Sequence, residues 1–113
     1  MPRLVYRAAA QRDIAEIAAY IERESQSRAA ADAFIESITD HCEHLATLSS
    51  MIGRPRPELR TNYRSVTFGN YVIFFRYGDE TGPRSHLYVI HILQGARDLD
   101  AYFKEAPKED EGT

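Results

Sequence analysis

Four histidines, one cysteine and a series of arginines are the residues of this chain whose side chains could take part in chemistry. His41 and His44 stand three apart beside Cys42 and could share a helix face and a metal ion. His41 also falls on an apolar seam, however, where a hydrogen-bonded core or boundary histidine is the simpler reading. No neighbouring motif activates Cys42, so a small buried hydrophobe is expected there. His86 and His91 lie an odd number of residues apart in one strand-like run and should face opposite ways. That argues against a shared metal and leaves His91 alone as a candidate general base. The sequence has no phosphate-binding glycine loop, nucleophile elbow, metalloprotease helix motif or zinc ribbon, so neither a metal nor a cofactor is expected.

What remains is arginine. Arg54, Arg56, Arg60, Arg64, Arg76 and Arg97 are interleaved with Tyr63, Tyr71, Tyr77 and Tyr88. A planar, permanently charged guanidinium binds carboxylate or phosphate through two parallel hydrogen bonds. Combined with aromatic rings, such a set suits single-stranded RNA, by phosphate neutralisation and base stacking, or an acidic and partly apolar peptide. Composition leaves both open.

The charge is unevenly spread along the 113 residues. Residues 1–53 carry five Arg and eight acids, residues 54–97 seven Arg and three acids, and residues 98–113 two Lys and six acids. The whole is at -3, which argues against retention on nucleic acid by global charge and places the basic character in the middle. One cysteine excludes an internal disulfide and fits a reducing compartment, so the cytoplasm is the expected location. The N-terminal stretch has no signal-peptide pattern. The longest apolar run, Val72 to Phe75, is far too short for a membrane span. One domain over residues 1–103 is expected, with residues 104–113 an acidic solvated tail lacking large apolar side chains.

These candidates must be positioned by a small number of elements. Leu4, Val5 and Tyr6 suggest a short first strand. From about Ala10, Ile14, Ile17, Ala18 and Ile21 form a helical stripe that leaves Arg12, Asp13, Glu16 and Arg23 to solvent. Ser25 or Ser27 can cap a second helix, in which Phe34, Ile38, His41, Leu45 and Leu48 share a seam, predicting an antiparallel helix hairpin. Gly53, Pro55 and Pro57 then predict an exposed crossing loop whose arginines point outward. Tyr63 to Phe68, Tyr71 to Tyr77 and His86 to Leu93 predict three strands, the first two joined at Gly69-Asn70. The expected fold class is α+β: an N-terminal strand, a helical hairpin, then a three-stranded antiparallel meander with the helices on one sheet face. Two helices suffice for one face only, so the other is expected to be apolar and open, as at a partner-binding surface.

In this order the chain resembles a ParE-type toxin of the RelE/ParE toxin-antitoxin superfamily over about Leu4 to Leu99. The resemblance rests on several pieces: Asp13-Ile14 with the Ile17 to Ile21 pattern, Ala33-Phe34-Ile35, Gly53-Arg54 followed by Glu58-Leu59, Arg64-Ser65, Tyr71 to Arg76, and Gly95-Ala96-Arg97-Asp98-Leu99. It implies the toxin of a type II module of the plasmid-stabilising kind. Such a toxin is neutralised by a ParD-like antitoxin whose C-terminal segment wraps around it, and meets DNA only indirectly through that antitoxin. ParE-like members inhibit DNA gyrase by binding, whereas RelE-like members cut mRNA on the ribosome, which requires a base, phosphate-binding cations and an acid. The scarcity of lysine and the Gly-x-Arg-Asp form after the last strand favour the ParE-like branch. On that reading Arg64, Arg76 and Arg97, with Arg54 and Arg56 in the loop, are the expected target- or antitoxin-binding residues. The alternatives are a nuclease with His91 as base and Arg64, Arg76 or Arg97 on phosphate, a non-toxic antitoxin-binding homologue, and an unrelated structural protein.

Overall fold

Apolar spacing, capping and turn chemistry account for the elements of the computed structural model, which describes residues 3–48, 52–59, 62–79 and 82–95. Strand β1 spans Arg3–Tyr6, helix α1 Ala8–Ser25 and helix α2 Arg28–Thr47. The hairpin between the helices is tight: Gln26 ends α1 in the left-handed region at φ 55°. Ser27 caps α2, its Oγ accepting the Ala30 N–H at 3.0 Å. Ala9 and Ala10 of α1, and Ala31, Ile38, Cys42, Leu45 and Ala46 of α2, are buried, with Ile14, Ile17 and Phe34 packed alongside. The seam of α2 turns slightly from its expected line. Cys42 is fully buried, while His41 is half-buried against the Phe68 ring at 5.1 Å. Burial pushes the Cys42 thiol up to about 11. It also raises Tyr6, beside Cys42, and lowers His41.

The remaining strands are β2 (Arg54–Pro55), β3 (Arg64–Phe68), β4 (Tyr71–Asp79) and β5 (Gly82–Gln94). The meander β3-β4-β5 is antiparallel, and the positive φ of its first turn falls on Gly69 at 59°. Two features depart from expectation. The crossing loop contains a strand: β2 pairs antiparallel with β3, Arg54 opposite Ser65 and Pro55 opposite Arg64. Pro55 is tolerated because β2 is an edge, where a missing N–H costs no ladder bond. The sheet is also mixed and five-stranded, in the order β1-β5-β4-β3-β2, because β1 pairs parallel with β5. A parallel neighbour requires a crossover, and the helix hairpin lies within it.

Alternation along the strands sends Ile73, Phe75, Tyr77, Leu87, Val89 and Ile92 to the helices and Val72, Phe74, Ile90 and Leu93 to the opposite side. The expectation that this second face lies open is overturned. Phe74 and Ile90 are 0% exposed, Leu93 is 4%, and Leu59 and Tyr63 are buried in the same cluster. The loop after β2 brings Leu59 and Tyr63 onto this face, supplying apolar cover that the helices cannot reach.

Candidate functional site

Register decides which side each arginine serves. Arg54 lies opposite Ser65, and Ser65 opposite Phe74, so Arg54 belongs to the outer face, the one away from the helices. Arg56 reaches the same side, its Nε donating to Ser65 Oγ at 2.9 Å and its guanidinium 3.5 Å from Glu58. Arg76 pairs with Tyr88, and Tyr88 with Val5, on that outer face. The Arg76 guanidinium sits 4.4 Å above the Tyr88 ring and donates to the Gly78 carbonyl at 2.6 Å. Arg7, just after β1, places its guanidinium 5.5 Å from the same ring. His86 stacks on that ring, at 5.5 Å between centroids and 16° between planes. Arg3, opposite His86, completes the group. The buried outer cluster is therefore bordered by Arg54 and Arg56 toward β2 and by Arg76, Arg7 and Arg3 toward β1. Among the described residues Arg3, Arg7 and Arg54 form no ion pair.

Arg64 is on the other side. Opposite Phe75 in β3, it faces the helices, and its Nε and Nη2 donate to the carbonyls of Ile52 and Gly53 at 2.7 and 2.9 Å. The Ile52 N–H donates to the Tyr77 hydroxyl at 3.2 Å. Gly53, at φ +88°, lies so close to Phe75 that a Cβ would meet its Cζ at 2.7 Å. Arg64 thus fastens the approach to β2 and acts on the outer face only through that loop. Arg60 and Arg97 lie outside the described residues.

His91 is not a surface base in this fold. A bulge in β5 pairs Phe74 with His91 and Phe75 with Val89, leaving Ile90 between them. The His91 side chain is 3% exposed, with Nδ1 3.1 Å from Asp13 Oδ2. The same oxygen accepts the Ile92 N–H at 2.9 Å. Asp13, expected in solvent, instead occupies the edge of β5 beyond the last β1 pair, Tyr6 with Val89, where a backbone donor would otherwise go without a partner. Beside it, between α1 and β5, lies a groove of about 250 Å³ lined in part by Glu16, Tyr20, Tyr71, Leu93 and Gln94. Among the described residues no cluster of three or more His, Cys, Asp or Glu could hold a metal, and no helix is long and apolar enough to cross a membrane.

The family model for the ParE toxin of the type II toxin-antitoxin system, parDE, matches residues 4–99. The chain belongs to the ParE toxin family. No curated protein matches it. The matched span begins inside β1 and runs past the end of β5, so every described element of this ParE-family toxin lies within it or at its border. The family assigns it the toxin role in a type II module and, in general terms, an antitoxin partner.

Of the residues expected from sequence, the structure gathers Arg54, Arg56 and Arg76 on one face and separates Arg64 from them. Arg3 and Arg7 carry no signal of their own in the sequence, which marks Asp13 only as a solvent-facing helix residue and as part of the family resemblance. A period-two reading of β1 could have placed Arg3 beside Val5 on one face, but only the parallel register brings that face to Tyr88.

Proposed function

We propose that this toxin acts by binding and inhibiting DNA gyrase in the cytoplasm, and that a cognate ParD-like antitoxin neutralises it. The observation that carries the reading is the ParE family match across residues 4–99. Arg54, Arg56 and Arg76 on the outer face, with Arg97, are the contact residues of this proposal, and Arg64 holds the loop that presents Arg54 and Arg56. Arg54 supports the assignment by being exposed and unpaired among the described residues, because an uncompensated surface guanidinium is available to an anionic partner. The nuclease alternative asks His91 to reach a ribose hydroxyl, whereas its imidazole is buried against Asp13.

Supercoiling by purified gyrase tests the reading. The expected result is dose-dependent inhibition, relieved by the product of a neighbouring antitoxin reading frame, with ribosome-bound message left intact. Message cleavage that disappears in His91→Ala would overturn it.

A further inference from the structure

The outer end of β5 carries an arrangement that extends beyond Arg76, the one member of it that the gyrase reading uses. Arg3 of β1 stands opposite the neighbouring His86, while two guanidiniums from separate elements, those of Arg7 at the β1–α1 junction and Arg76 of β4, lie over Tyr88. The ring orients them: Arg76 lies 4.4 Å and Arg7 5.5 Å from its centroid. Guanidiniums held over an aromatic ring keep their N–H edges directed sideways, and those edges bind planar anions through paired hydrogen bonds. His86 is stacked on the ring, and its buried Nδ1 has no hydrogen-bond partner among the described residues. A polar atom in that state marks bonding capacity that the chain itself leaves unfilled. No carboxylate forms an ion pair with Arg3 or Arg7 among the described residues.

We propose that Arg7 and Arg76, organised by Tyr88, with Arg3 and His86 alongside, form a carboxylate-recognition patch that receives an acidic segment of the neutralising antitoxin. Naming the antitoxin as the natural ligand rests on the proposed function, but the chemistry of the patch does not. Nucleic acid fits less well, because sequence-tolerant binding of single strands needs aromatic faces on which bases stack. The Tyr88 ring is already engaged by an imidazole and two guanidiniums. Carboxylates need only the guanidinium edges. Tyr88 is here a positioning residue.

Titration of the full chain with a decaglutamate peptide at low salt, followed through the arginine Nε–H resonances, tests the proposal. The Arg7 and Arg76 signals should shift together, and the double variant Arg7→Ala/Arg76→Ala should bind at least about tenfold more weakly, as expected for losing charge-assisted hydrogen bonds. Tyr88→Leu should weaken binding and Tyr88→Phe should restore it, a pattern that a purely structural tyrosine would not produce. An oligouridylate of equal charge that binds more tightly than the peptide would overturn the proposal in favour of nucleic acid. If deleting residues 104–113 moves the same resonances without any peptide, the chain's own acidic tail is the occupant and the partner assignment falls. If decaglutamate leaves Arg7 and Arg76 unmoved, the patch is refuted even where gyrase inhibition and its relief by antitoxin are observed. Peptide binding without gyrase inhibition would instead refute the function and keep the patch.

Discussion

Arg64 and Arg76 are the same residue type on adjacent strands of one sheet, and the two faces use them in opposite ways. On the helix side, Arg64 is bound to the carbonyls of Ile52 and Gly53 and holds the chain where it enters β2. On the outer side, Arg76 lies across the Tyr88 ring at the border of the second apolar cluster. Spacing along the sequence does not distinguish them. Strand alternation does: the arginine facing the side where a loop arrives binds two carbonyls of that loop, whereas the one facing outward lies on a ring at the rim and binds only a carbonyl of its own strand, Gly78. Substitutions on the helix side should therefore cost stability, and those on the outer side should cost partner binding.

The largest effect should come from Gly53→Ala, which combines a positive φ with a Cβ 2.7 Å from Phe75. Chemical denaturation should show a loss of about 3 kcal/mol. Arg64→Ala, which strips two carbonyls of a charged donor, should cost about 2 kcal/mol, and Arg64→Lys should not restore it because an ammonium cannot span both acceptors. If either change proves harmless, the contrast between the faces is broken at the β2 approach.

How legible this contrast was in the sequence varies from residue to residue. Local signals carried well: the 3.6-residue stripes and Ser27 marked the helix hairpin, and Gly69 marked the turn between β3 and β4. Long-range pairing did not. The parallel match of β1 with β5 joins residues more than eighty positions apart and leaves no local trace, so Arg3 and Arg7 could not be placed beside Tyr88. Asp13 looked like a solvent residue because its partners, His91 and the Ile92 N–H, lie on a strand edge at the far end of the chain. The β5 bulge disturbs the alternation that predicts the facing of His91. Two helices alone predict a vacant outer face, whereas Leu59 and Tyr63 also supply cover.

Smaller effects sharpen the comparison from the other side. Arg76→Ala should lower stability by about 1 kcal/mol, less than Arg64→Ala, since it removes a ring contact and one carbonyl bond within its own strand where Arg64 loses two bonds to a separate loop, and thermal melts should order the two variants accordingly. At Cys42 no effect is expected. With its thiol raised by burial to about 11, it stays protonated at pH 8 and should resist a thiol reagent in the folded chain, then react fully once the chain is denatured.

The most direct test of the division between the faces is growth after induction, read together with the melting temperature, for Arg54→Ala/Arg76→Ala and Arg64→Ala. The outer-face double variant should melt closer to the parent than Arg64→Ala does and fail to arrest growth, while Arg64→Ala should melt lowest. Full growth arrest by a normally folded Arg54→Ala/Arg76→Ala chain would contradict the account.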